Sequence, residues 1–336
     1  MICISQSSVI VNQEALTEEF LPEQVIHRMD QLKIIAQAIE PLFLGHTAKT
    51  VLMFGSSGSG KTTSARHLIE KLREDHRALS VYVNCWKNYS KFHFLMTICK
   101  KLRLNTHLGN ISSIDLLNKI EKACMENPCV IVVDEFDRLE EKDELYSLRE
   151  FGAALILVTS DERHLFRLKS RIESRLGVLE KVRFPPYKWT ELSDIIEGRA
   201  RLALRPESWN KEQIKRIALV CGGNAHFALE SLKLAAERAE EKNASKILDE
   251  HIDFAIGNAR RRKVHSDVCL NRHEARLLEL IKKHKEIPSG DLHRKFREES
   301  DEPVSERTLR NYLHRMERNG LIRMRGAGRW RVYGVG

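Results

Sequence analysis

Long apolar runs are missing from this chain of 336 residues. The longest, such as Ala153-Ala154-Leu155-Ile156-Leu157-Val158, fall far short of the ~20 residues that a bilayer-crossing helix needs. The N-terminus also lacks a basic stretch followed by an apolar one, the mark of a secretion leader. A soluble, cytoplasmic protein without a membrane partner is therefore expected. Cysteine is scarce and badly spaced for cross-linking: the seven (Cys3, Cys85, Cys99, Cys124, Cys129, Cys221 and Cys269) are an odd number without a C-x-x-C pair. That argues against a disulfide framework and a zinc site and leaves buried, reduced thiols. Repeats and low-complexity tracts are absent, and so is an acidic surplus, since 56 Lys and Arg against 47 Asp and Glu leave +9. From Val304 onward lysine vanishes altogether. There Arg307, Arg310, Arg315, Arg318, Arg323, Arg325, Arg329 and Arg331 face only Glu306 and Glu317, so most of the excess charge sits in the last tenth of the chain. Arginine concentrated without lysine points to phosphate and base contacts in nucleic acid.

What is present is a phosphate-binding loop. The run Gly55, Ser56, Ser57, Gly58, Ser59, Gly60, Lys61, Thr62, Thr63 follows the apolar Val51-Leu52-Met53-Phe54. It fits G-x-x-x-x-G-K-[ST], in which glycines let backbone N–H groups converge on phosphate oxygens. Lys61 is then the ligand of the β- and γ-phosphates, and the Thr62 hydroxyl is a ligand of Mg²⁺. Downstream, Val130-Ile131-Val132-Val133 reads as a buried strand ending in Asp134-Glu135-Phe136-Asp137. Asp134 is expected to hold Mg²⁺ through water, with Glu135 as the base that polarises an attacking water. ATP or ADP with Mg²⁺ are the cofactors these residues imply.

Length and a 42% hydrophobic share allow two or three domains. Strands near Thr50–Phe54, Ser80–Asn84, Cys129–Val133, Ala153–Thr159 and Lys181–Phe184 alternate with helices at Lys61–Arg73, Phe92–Leu102 and Ile114–Cys124. An α/β domain with a parallel sheet and helices on both faces is expected over residues 1–187. Pro185-Pro186 ends its last strand. Helical spacing at Leu192/Ile195/Ile196, Ile214/Ile217/Ala218 and Ala228/Leu229/Leu232, interrupted by Gly222-Gly223, predicts an all-helical lid over 188–263. The run Arg260-Arg261-Arg262-Lys263 reads as a linker, with a solvated helix end or a DNA contact as the other readings.

Residues 264–336 read as helices Arg272–Lys283, Ser289–Arg297 and Ser305–Arg318, then strands at Ile322–Met324 and Trp330–Tyr333 around Gly326-Ala327-Gly328. Three helices and a glycine-tipped hairpin predict a winged helix-turn-helix. Its third helix would enter the major groove, with Arg307, Arg310 and Asn311 as base readers and Leu309, Leu313 and Met316 as core. Arg325, Arg329 and Arg331 would serve the wing.

Taken together, several segments resemble the archaeal origin-recognition/cell-division-control initiators, AAA+ ATPases similar to the largest subunit of the eukaryotic origin recognition complex. The resemblance covers nearly the whole chain. Leu21-Pro22-Glu23 with His27-Arg28 resembles the family's segment beside the adenine pocket, and Gly55–Thr63 and Asp134-Glu135 resemble its two nucleotide motifs. Asn84-Cys85-Trp86 to Leu102 is similar to the extra helix of initiator-type AAA+ proteins, at whose start the resemblance implies a second contact with duplex DNA through Lys87, Asn88, Ser90 and Lys91, a segment that otherwise reads as a helix cap. Ser174-Arg175-Leu176-Gly177 with Phe184-Pro185-Pro186-Tyr187 is similar to its box VII, which puts Tyr187 at the nucleotide. Arg171 or Arg175 would reach a neighbouring subunit's γ-phosphate or lie on the surface.

The resemblance further implies origin repeats in duplex DNA, often beside the initiator's own gene, self-association on that DNA, a replicative helicase as partner, and a place on the nucleoid. Two positions depart from the pattern: Ser160 stands where relatives carry a sensor asparagine, and His226 where Gly-x-Ala-Arg supplies an arginine. A neutral imidazole does not replace a fixed guanidinium charge, so slow hydrolysis, as in a nucleotide switch, is expected. A transcription-regulating ATPase and a branch-migration motor are the rival readings. The first lacks a sensor region here, and the altered sensor residues count against the second.

Overall fold

The computed structural model describes residues 8–75, 78–86, 88, 90–106, 111–167, 176–266, 272–299, 304–318, 321–326 and 331–335. They fall into two compact units that divide between Ile252 and Asp253. The first is built on five parallel strands, β1 (Thr50–Phe54), β2 (Leu79–Asn84), β3 (Cys129–Asp134), β4 (Ala154–Thr159) and β5 (Leu179–Arg183), in the order β2-β3-β4-β1-β5. Every residue of β3 and β4 is buried, as expected of parallel strands covered on both faces.

Because successive side chains of a strand point to opposite faces, each strand feeds two cores. Val81, Val83, Ile131, Val133, Leu155 and Leu157 pack with Phe94, Leu95 and Ile98 of α3 (Lys91–Lys101) and with Leu116 and Ile120 of α4 (Ser113–Glu126). Val51, Met53, Val130, Val132, Ile156 and Val158 pack with Ile35 and Ile39 of α1 (Met29–Ile39) and with Ile69 and Leu72 of α2 (Lys61–Glu74). Helix α1, and α5 over Asp143–Glu150, have no counterpart in the sequence reading.

The lid of the first unit consists of α6 (Trp189–Ala203), α7 (Lys211–Val220) and α8 (Ala225–Glu241). Asn210 and Asn224 cap α7 and α8 by accepting from the N–H groups of Gln213 and Phe227, and Gly222 and Gly223 turn the chain between them with φ of 57° and 80°. The segment 8–28 lies along this lid: Ile10 bridges to Leu204, Val11 N–H donates to the Ala203 carbonyl at 2.8 Å, and Arg199 donates to the Ala15 and Phe20 carbonyls at 2.8 and 3.0 Å. Of the readings open for the run 260–263, the helix end is the one found: it is part of α9 (Asp249–Ser266), since arginine and lysine sustain a helix well and no proline interrupts it.

The second unit holds α10 (Arg272–His284), β6 (Glu286–Pro288), α11 (Ser289–Glu299), α12 (Glu306–Arg318), β7 (Ile322–Arg325) and β8 (Val332–Val335). The strands pair antiparallel in the order β6-β8-β7, the architecture of a winged helix. Its core gathers Leu277, Ile281, Leu292, Phe296, Leu309, Leu313, Met316 and Tyr333. Strand β6 went unseen in the sequence, being three residues long and ending in proline. Among the described residues, no helix is long and apolar enough to cross a membrane.

Candidate nucleotide site and nucleic-acid face

The loop between β1 and α2 is shaped by what presses on it. A Cβ on Gly58 would lie 2.1 Å from Asn224 Oδ1, and one on Gly60 would lie 2.2 Å from the Tyr187 hydroxyl. With φ of 72° and 87°, both positions favour glycine twice over. The lid meets the loop directly, since Ala225 N–H donates to the Gly58 carbonyl at 3.0 Å. Lys61 Nζ folds back onto the loop and donates to the carbonyls of Gly55 (2.7 Å) and Ser56 (2.9 Å). Burial pulls its pKa down against the attraction of Asp134, Glu135 and Asp137.

At the carboxyl end of β3, Asp134 is 2% exposed. Its Oδ2 accepts from Thr62 Oγ1 at 2.8 Å and from the Tyr82 hydroxyl at 2.7 Å, and its Oδ1 accepts from Glu135 N–H at 3.0 Å. Burial raises its pKa, opposed by these bonds and by Lys61. Glu135 follows in a left-handed conformation, φ 54° and ψ 45°, a rare state for a side-chain-bearing residue and one that clusters at functional sites. Its carboxylate lies 3.6 Å from Arg138 Nε, and the Arg138 guanidinium stacks 4.5 Å from the ring of the half-exposed Trp86. Burial, then the neighbouring Asp134, push the Glu135 pKa up.

No group of three or more His, Cys, Asp or Glu that could hold a metal occurs among the described residues. A protein-only cage is therefore excluded there. One hydroxyl and one buried carboxylate, 2.8 Å apart and beside a phosphate loop, instead fit Mg²⁺, which keeps water and phosphate oxygens as its remaining ligands.

The other predicted residues are placed as follows. Arg28 is 3% exposed. Its Nε, Nη1 and Nη2 donate to the carbonyls of Ser59, His27 and Pro185, and its guanidinium lies 3.8 Å from the Tyr187 ring. Both Arg28 and Tyr187 thus brace the phosphate loop from the side of the lid. His27 Nε2 meets Asp194 of the lid at 2.9 Å. His226, in the first turn of α8, lies 3.0 Å from Glu18. Ser160 is exposed, whereas its neighbour Thr159 is buried and donates to Asp137 Oδ1 at 2.9 Å. Thr159 and Tyr82 escaped the sequence reading. Thr159 carried a signal, as the last polar residue of an apolar strand next to β1.

Lys91 is engaged by the buried Glu144 at 2.6 Å, so its charge is already neutralised. Lys87, Arg171, Arg175 and Arg329 lie outside the described residues.

In the second unit, α12 divides as its spacing predicts. Leu309, Leu313 and Met316 are buried, and Arg307, Arg310, Asn311 and His314 are exposed. Arg325 is exposed and lies 3.6 Å from Glu286, and Arg331 is half-buried. Lys285, Arg323 and Arg325 line a hollow of about 430 Å³ over β6, β7 and β8.

Comparison with known proteins follows this division. A model of an AAA domain matches residues 45–168, and one of a Cdc6 AAA+ ATPase-type lid domain matches residues 193–257. The ORC1-type DNA replication protein 1 of Halobacterium salinarum is 30% identical over 309 residues, which cover 90% of this chain and 100% of that protein. The ORC1-type DNA replication protein 9 of the same organism is 28% identical over 334 residues, covering 97% and 94%. Among solved structures, the Aeropyrum pernix ORC1 protein in complex with DNA is similar with a TM-score of 0.74 at 22% identity, covering 98% of this chain and 93% of that one. The Aeropyrum pernix ORC2 protein, solved as ADPNP-ADP complexes, is similar with a TM-score of 0.67, covering 98% and 94%.

Proposed function

This chain belongs to the ORC1-type DNA replication protein family, and from that premise we propose that it is an ATP-dependent replication initiator, cytoplasmic and associated with the nucleoid. It binds origin repeats in duplex DNA, self-associates there and helps to recruit the replicative helicase. The observation that carries the reading is the presence, in one chain, of a preassembled Thr62–Asp134 pair behind a phosphate loop and a helix whose exposed face is Arg307, Arg310 and Asn311.

On nucleotide binding, Lys61 leaves the carbonyls of Gly55 and Ser56 for the phosphates, and the loop N–H groups cradle them. Thr62 and Asp134 would hold Mg²⁺, which when bound neutralises charge on the phosphate oxygens. Glu135 orients the attacking water. Two contacts support slow turnover: Arg138 restrains Glu135, and Glu18 engages His226 where a cation would otherwise face the γ-phosphate. The protein then works as a switch, with the bound nucleotide setting how the lid sits on Gly58. A single-turnover rate well below ~1 s⁻¹ is expected, at the bottom of the usual enzyme range.

The test is a footprint of nucleotide-loaded protein over DNA flanking its own gene, against random duplex, at about 0.15 M salt where non-specific binding weakens. Discrete protected repeats, lost in Arg310→Ala, are expected. Uniform weak protection overturns origin recognition and favours a regulator whose specificity comes from a protein partner.

A further inference from the structure

We propose that Tyr82 is a positioning residue for the metal-binding carboxylate of Asp134. The inference rests on the nucleotide–Mg²⁺ reading above and assigns to β2 a part in that site. Strand β2 pairs with β3 in parallel register, Asn84 opposite Asp134 and Tyr82 opposite Val132. The Tyr82 ring packs against the core beside α2, which aims its hydroxyl along the neighbouring strand to Asp134 Oδ2 at 2.7 Å. Lys101 touches the tyrosine away from its hydroxyl, its Nζ donating to the Tyr82 carbonyl and lying 5.5 Å from the ring centre.

Counting lone pairs shows what the phenol does. Each carboxylate oxygen accepts about two hydrogen bonds. Oδ2 has both, from Thr62 and Tyr82, while Oδ1 has one, from Glu135 N–H. The phenol thus saturates Oδ2 beside the Thr62 hydroxyl and leaves the remaining acceptor capacity on Oδ1. An aspartate's second torsion is broad and nearly two-fold. Without the Tyr82 bond the carboxylate can rotate away from Thr62 and leave the pair that would hold the cation. A phenol is protonated at neutral pH, so the hydroxyl is a donor to Oδ2. Partners of this kind around metal ligands typically govern affinity by about 10–100-fold.

The experiment titrates Mn²⁺ into the full chain with ADP and follows free Mn²⁺ by electron paramagnetic resonance, for wild type, Tyr82→Phe and Lys101→Ala. ADP affinity in EDTA and the melting temperature of the metal-free protein are measured beside it. Tyr82→Phe should weaken Mn²⁺ binding about tenfold or more, with ADP affinity in EDTA and melting temperature near wild type. Lys101→Ala, which spares the hydroxyl, should bind Mn²⁺ as wild type does. Equal Mn²⁺ affinity of Tyr82→Phe and wild type overturns the assignment, as does a parallel fall in metal-free ADP affinity. Failure of the wild type itself to bind Mn²⁺ with ADP overturns the nucleotide–metal reading and this inference with it.

Discussion

Asp134 is 2% exposed and receives three hydrogen bonds, whereas Arg325 leaves 74% of its side chain in water and lies 3.6 Å from Glu286. The two residues stand for two ways of holding charge. In the nucleotide site the central carboxylate is buried, bonded to neutral hydroxyl and N–H donors and fixed by a strand end, so it acts at short range in a low dielectric. In the second unit charges stand on one helix face and one hairpin, where each acts weakly and salt screens it. The first arrangement suits a ligand that must be placed to within an ångström. The second suits a polyanion that is held by the sum of many contacts.

Salt should separate the two regions most strongly. If six arginines reach phosphates, log affinity for DNA falls with log salt at a slope of about −5, roughly a thousandfold between 50 and 200 mM. ADP affinity, measured by calorimetry over the same range, should move little. A DNA slope near −1 would remove the tail as the DNA surface. Lys61→Ala strikes the other side. Truncating one member of a buried charge pair costs about 2–5 kcal/mol, hence at least ~30-fold in ATP affinity, with DNA binding at 50 mM salt retained. Equal losses in both assays would mean that the substitution acts through unfolding. Arg310→Ala is smaller and more selective. It should cost about 1–3 kcal/mol on the preferred duplex and much less on random duplex, and an equal loss on both would make Arg310 a phosphate contact.

What the sequence revealed follows the same divide. The glycines of 55–60, Lys61, Thr62 and Asp134-Glu135 were legible because loop geometry and metal chemistry fix their types and order. The buried and exposed sides of α12 were legible because Leu309, Leu313 and Met316 keep helical spacing among arginines. Tyr82 was hidden, since an aromatic in a half-buried strand reads as core until the register with β3 is known. The bracing contacts of Arg28 were hidden for a related reason, since its three carbonyl partners come from segments far apart in the sequence as well as from its neighbour. The run 260–263 was legible as a helix end but not as the interior of α9, because the polar residues that follow it carry no apolar spacing.

The smallest effect falls at the exposed contact between Glu18 and His226. The hydrogen bond from His226 lowers the Glu18 pKa, with burial opposing it and the charges of His226 and Lys233 assisting. A carboxyl whose pKa is depressed in the folded state stabilises above its unfolded pKa, and that stabilisation is lost as pH falls through the folded value. Because 67% of the Glu18 side chain is exposed, the contact is discounted to less than about 1 kcal/mol. Glu18→Gln should therefore melt slightly below wild type at pH 7, and the two should converge in acid, below the ordinary carboxylate range. If the pair restrains His226 as the slow switch requires, the same variant should also alter single-turnover hydrolysis while leaving the salt slope for DNA untouched. A melting difference that persists in acid would show that Glu18 acts through packing on the lid and not through its charge.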